Sequence, residues 1–106
     1  MDNKTLYLVQ LVYTDYSEGI EYAQENQSRQ VIGIFDSQEK AETAVENDIT
    51  NQTDTYDYDY EVEDVHCDCT IPDKVLSFYD EGIGLIKTFE YEILIEELNF
   101  VQNFYE

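Results

Sequence analysis

The chain has 106 residues, enough for one domain with a modest core and too few for two. Its 25 acidic residues against five basic ones give a formal charge of −20 at pH 7. A polyanion of that density repels nucleic acid and anionic membranes and attracts basic protein surfaces and cations, so direct DNA, RNA or membrane binding is disfavoured. A hydrophobic fraction of 42% with ten Tyr and five Phe nevertheless marks a folded chain, because disordered acidic chains are poor in aromatics.

Met1 to Lys4 carries one base, and the apolar run behind it, Leu6 to Tyr13, is short and followed at once by acids. That pattern fits neither a signal peptide nor a membrane span and leads to the expectation of a cytoplasmic protein. Thr5 to Tyr13 (TLYLVQLVY) reads as a central strand buried on both faces. Thr14 to Ser28 is polar and reads as a loop or a frayed helix around Ile20 to Gln24. Gln30 to Phe35 is a second strand in which Gly33 signals a bulge or the close approach of another backbone. Asp36 or Ser37 then caps a helix from about Gln38 to Ile49, with Ala41, Ala44, Val45 and Ile49 in one apolar stripe.

After a polar connection at Thr50 to Thr55 comes Tyr56 to Asp64 (YDYDYEVED), where apolar residues and carboxylates alternate one for one. In a strand this sets Tyr56, Tyr58, Tyr60 and Val62 on one face and Asp57, Asp59, Glu61 and Glu63 on the other. The strand extends toward Cys69, with a bulge or break expected at the adjacent acids Glu63 and Asp64. Thr70 to Asp73 reads as a turn around Pro72, Lys74 to Tyr79 as a strand, and Asp80 to Gly84 as a turn. Leu85 to Glu97 is the last strand, and Leu98 to Tyr105 has helical spacing suited to a short helix or a partner-binding extension. The expected fold is α+β: a mostly antiparallel sheet of four or five strands with one main helix packed on one face.

The segments LYLV, GIFDSQEKAETAV (Gly33 to Val45) and YEILIEELN (Tyr91 to Asn99) resemble a family of small phage and bacterial proteins. The likeness implies a small α+β fold and carries no activity with it; the acidic Asp54 to Asp64 segment departs from its pattern. In size and charge alone, the chain is also similar to phage anti-restriction and anti-CRISPR proteins that mimic DNA.

Same-face residues of a strand repeat at about 6.7 Å, near two axial steps of one DNA strand at about 3.4 Å each. A carboxylate ladder at that pitch could meet Lys and Arg side chains that otherwise hold phosphates, although any one-sided strand also alternates apolar and polar residues. The wider distribution favours the first reading. Between Lys40 and Lys74 eleven acids occur with no base, and five more follow Lys87, whereas ordinary solvated surfaces mix both signs. Halophilic adaptation is a competing account, opposed by abundant Asn, Gln and Tyr.

The spacing of Asp57, Asp59 and Glu61 suggests a calcium loop, but Val62 stands where an EF-hand needs Gly. His66, Cys67, Asp68 and Cys69 include metal-ligand types, yet no second Cys or His pair exists in the chain. A zinc site would need a second copy, which keeps a homodimer open as an assembly. Cys67 and Cys69 are better read as small buried hydrophobes. With one His, no nucleophile motif and no phosphate-binding glycine loop, the chain is not expected to be an enzyme or to take a cofactor.

The candidate partner-binding residues are Asp54, Asp57, Asp59, Glu61, Glu63, Asp64 and Asp68 from the middle of the chain and Glu90, Glu92 and Glu96 from the last strand. The expected partner is a basic nucleic-acid-binding protein, either a defence nuclease or a CRISPR effector, occluded by carboxylates in place of phosphates. A second reading is a small regulatory or scaffold protein that binds through its Tyr/Phe-rich C-terminal tail.

Overall fold

The structure, a computed structural model, describes residues 3–99 except Ile20, Tyr22, Gln24 and residues 66–70. Five strands and one helix follow in the order β1 (Asn3–Asp15), β2 (Gln27–Phe35), α1 (Gln38–Thr55), β3 (Asp59–Val65), β4 (Asp73–Asp80) and β5 (Gly84–Asn99). They form one sheet of order β2-β1-β5-β4-β3, with every neighbouring pair antiparallel. The fold is therefore α+β, as the hydrophobic periodicity requires.

β1 and β5 pair along their whole common length, from Asn3↔Asn99 to Asp15↔Lys87, and form the spine of the sheet. On the helix side β1 contributes Val9 and Leu11 to the core, joined by Leu76, Phe78, Ile86, Phe89 and Tyr91 from β4 and β5 and by Ala41 and Val45 from α1. On the other side Val12 and Thr14 are also buried, so this strand is covered on both faces as its sequence implies. Small residues let α1 lie close to the sheet: Ala41 and Val45 are almost fully enclosed.

Ser37 is the N-cap, its hydroxyl accepting from the Lys40 N–H at 3.2 Å, and Asp36 instead pairs with Lys40 at 2.9 Å. The helix does not stop at Ile49 but continues for the six residues read as a polar connection, ending where the Tyr56 N–H donates to Gln52 O. Thr50 and Thr55 have low helix propensity, but their hydroxyls bond back to the carbonyls of Glu46 and Asn51, four residues earlier, and no Gly or Pro interrupts the turns.

The bulge expected near Gly33 is present. Val9 pairs with Gly33 but Gln10 pairs with Val31, which leaves Ile32 as the extra residue. The close approach there is made by a ring rather than by backbone: a Cβ on Gly33 would lie 2.8 Å from the Phe35 Cζ. The 80–84 turn closes with the Gly82 N–H on Asp80 Oδ1 at 2.8 Å and with Gly84 at φ +91, a conformation that favours glycine.

Two expectations on β3 and β5 change. β3 begins at Asp59, and its ladder with β4 runs without a register shift through Val65, so Glu63 and Asp64 do not break it. β5 runs through Leu98 to Asn99 as strand, where the spacing of the sequence predicts a short helix or extension. Residues 100–106, the rest of that tail, lie outside the described residues, as do His66, Cys67, Asp68 and Cys69.

One polar contact ties the helix to the sheet. The Tyr91 hydroxyl, on a residue 1% exposed, donates to Asp48 Oδ2 at 2.5 Å. Burial, then the Asp48 carboxylate it bonds, pushes the Tyr91 phenol well above its usual range. A hydrogen bond to a charged group contributes more than a neutral one, so Tyr91→Phe is expected to cost about 1–2 kcal/mol in urea unfolding. Tyr91→Phe combined with Asp48→Ala should cost clearly less than the sum of the two single changes, because both remove the same bond.

Candidate functional site

The register decides where each acid stands. Glu61 lies opposite Ser77, which lies opposite Thr88; Glu63 lies opposite Val75, which lies opposite Glu90. Directly opposed residues share a sheet face. The buried Leu76 and Phe78 point to the helix, so Val75, Ser77 and Tyr79, with Asp59, Glu61 and Glu63 on β3, point away from it. The same alternation puts Glu90, Glu92 and Glu96 on this open face. Six of the ten sequence candidates are thus brought together from strands that are distant in the chain. Along each strand they repeat at about 6.7 Å, and the β3 and β5 rows stand two strand spacings, about 9.6 Å, apart.

The other four candidates fall elsewhere. Asp54 is in the last turn of α1, and Asp57 is in the connection to β3. Asp64 points to the helix side, where its Oδ1 accepts from Lys74 Nζ at 2.8 Å across the strand pair. Asp68 lies outside the described residues. The expected first rung, Tyr56 with Asp57, is likewise not part of the ladder. Tyr56 turns into the core against Phe78 and Phe89, at ring-centroid distances of 5.5 Å and 6.3 Å, under Lys87 Nζ at 3.7 Å.

Sequence reasoning passed over Asp73, which shares the open face with Val75 and lies beside the β5 row, one residue before Lys74, the partner of Tyr91. Its place just after Pro72 reads as turn chemistry, and only the strand register shows it belongs to the acidic face. Burial raises its pKa, and Glu90 is raised by burial first and then by Glu92 and Asp73, with Arg29 opposing. Arg29 reaches Glu92 at 3.7 Å and is the one base among the described side chains of this face. At 60% exposure an ion pair of this length contributes little.

The bases with described side chains are otherwise engaged off this face: Lys40 with Asp36, Lys74 with Asp64, and Lys87 over Tyr56. Beside the acids, Ile34, Leu8 and Leu94 face one another across β2, β1 and β5. Ile34 and Leu94 are 62% and 40% exposed, giving the acidic face an apolar end. Among the described residues no group of three or more His, Cys, Asp or Glu is placed to hold a metal ion, and no helix is long and apolar enough to cross a membrane.

The acids set a pH dependence with a defined sign. Glu90 and Asp73 have folded pKa values above the unfolded 4.5 and 3.8, so they bind protons more readily in the folded chain. The destabilisation they cause is full at pH 7 and is relieved as pH falls through their folded values. Asp15 behaves oppositely: its carboxylate accepts from the Ser17 N–H at 2.8 Å, which lowers its pKa, and that stabilisation is lost below 3.8. The melting temperature is therefore expected to rise by a few degrees from pH 7 to about pH 5, to rise with NaCl at pH 7, and to fall again below about pH 4. Melts over this grid check it; a melting temperature that drops between pH 7 and 5 and ignores salt would contradict the assignment. No family model, curated protein or solved structure matches the chain.

Proposed function

We propose that the chain is a stoichiometric inhibitor of phage type. It binds a basic nucleic-acid-binding protein, a defence nuclease or CRISPR effector, and occludes the site through carboxylates set in place of phosphates. The observation that supports this reading is the convergence of Asp59, Glu61 and Glu63 with Glu90, Glu92 and Glu96 on the face opposite α1. A field of one sign over such a face steers a cationic cleft toward it and opposes the approach of nucleic acid. The charge of −20 agrees with this. In this reading the inhibitor acts by stoichiometric binding, without turnover.

The test is displacement of a fluorescent DNA duplex from a panel of restriction and RNA-guided nucleases, read by anisotropy. Displacement should saturate at equimolar protein and weaken steeply with salt. The variant Asp59→Asn/Glu61→Gln/Glu63→Gln should keep its circular dichroism spectrum, because the three side chains are exposed, and should displace about tenfold less well. A panel in which no nuclease releases its duplex would overturn the proposal.

A further inference from the structure

We infer that Tyr56, seated in the core beneath Lys87, is the positioning residue that sets the register of β3, stopping the acidic strand from sliding by two residues along β4. The lock is a property of the fold, independent of the proposed inhibition, although the row it positions is the one a basic partner would meet.

A strand whose side chains repeat every two residues keeps both faces unchanged when it slides by two. The stretch from Tyr56 to Glu63 is such a sequence, a tyrosine or valine alternating with a carboxylate throughout. Burial of one face ordinarily specifies register, yet all seven residues of β3 are exposed. Sliding toward Asp73 would set Tyr58 opposite Phe78 in place of Tyr60, Asp59 opposite Ser77 in place of Glu61, and Glu61 opposite Val75 in place of Glu63. Each of these rungs keeps its chemistry, so this half of the ladder does not tell the two registers apart. The far end opposes the slide, because Glu63 would meet Asp73 and Asp64 would leave Lys74.

The near end is decided by Tyr56, the first tyrosine of the repeat and the one that leaves it. Its N–H donates to Gln52 O at 3.0 Å and ends α1, its ring lies 5.5 Å from Phe78 and 6.3 Å from Phe89, and Lys87 Nζ stands 3.7 Å from the ring centroid. Phe78 is also the residue opposite Tyr60 on one side and Lys87 on the other, with the Tyr60 ring 6.2 Å away. The seat of Tyr56 and the register of β3 therefore refer to the same ring. Asp57 and Tyr58 alone separate that seat from the first rung at Asp59. A slide by two residues carries Asp59 about 6.7 Å along the sheet, as far as two fully extended residues reach. It draws Tyr56 out from between the two phenylalanines and away from the ammonium, and the exposed rungs gain nothing that offsets those contacts.

The experiment reads cross-strand proton contacts by NMR in the full chain and in three variants: Tyr56→Phe, Tyr56→Ser, and an insertion of two glycines between Tyr56 and Asp57. The insertion leaves Tyr56 in its seat and supplies the slack that the slide needs. The unaltered chain and Tyr56→Phe, which keeps the ring, should show Glu61 against Ser77 and no contact between Asp59 and Ser77. Tyr56→Ser and the insertion should show the Asp59–Ser77 contact at about a tenth or more of the native intensity, with the contacts between β1 and β5 unchanged. If Tyr56→Ser does not fold, the insertion decides. The Glu61–Ser77 contact alone in the insertion variant would overturn the lock, and so would equal sliding in Tyr56→Phe. Failure of every nuclease to release its duplex would count against the inhibitor and leave the lock standing, since none of these contacts depends on a partner.

Discussion

One helix about 10 Å across cannot cover a sheet of five strands spaced at about 4.8 Å, and here there is only one helix among the described residues. The rest of the molecule follows from that shortfall. α1 settles over the β2, β1 and β5 side, where Val9, Leu11 and Tyr91 meet Ala41 and Val45. Away from the buried Val12 and Thr14, the opposite face and the β3 margin are left without a covering element among the described residues. Polar residues have to fill those positions, and in this chain nearly all the charged ones are carboxylates.

The same arrangement loads strain onto the electrostatics of the helix. Its last turn has no base and holds Asp54, at a C-terminus whose dipole favours cations. Asp48 is accommodated because Tyr91 donates to it from the core and Gln52 Nε2 lies 3.5 Å away. The few cations are spent on local pairings: Lys74 on Asp64, Lys40 on Asp36, and Lys87 on the Tyr56 ring opposite Asp15. Neutralisation is concentrated on the helix side and at the ends of elements, which leaves the open face strongly negative.

Local chemistry made the strands legible. β1, β4 and β5 show their apolar runs directly, and Ser37 with the Ala41–Val45 stripe marks the helix start. The helix end was hidden because Thr50 to Thr55 looks like a loop until its hydroxyls find the carbonyls one turn back. The phase of the acidic strand was hidden at its start, where Tyr56 leaves the alternation to fill a gap between Phe78 and Phe89. The convergence of Glu61 and Glu63 with Glu90 could not be read at all, since it depends on β4 lying between β3 and β5, and strand order is a tertiary choice that no local spacing encodes. For the same reason Asp73 looked like part of a turn.

That strand order also explains how the sheet tolerates its charge. In every strand pair of the described residues the residue directly opposite an acid is neutral or basic: Glu61 meets Ser77, Glu63 and Glu90 both meet Val75, Glu92 meets Gln10, Glu96 meets Leu6, and Asp64 and Asp15 meet lysines. The open face is consequently striped. The acidic rows of β3 and β5 are separated by Val75, Ser77 and Tyr79, and β5 is followed by the neutral row of Leu8, Gln10 and Val12. Two strand spacings, about 9.6 Å, exceed the screening length of about 8 Å at physiological salt, so the rows repel each other weakly while each keeps its own field. Where the stripes are breached, at Asp73 beside the β5 row, the pKa of Glu90 is raised by burial first, then by Glu92 in its own row and by Asp73. An acidic face built from adjacent rows would hold more charge per unit area but would place carboxylates directly across from one another. The interleaved order reaches a similar field at lower cost, because no carboxylate stands directly across a strand pair from another among the described residues.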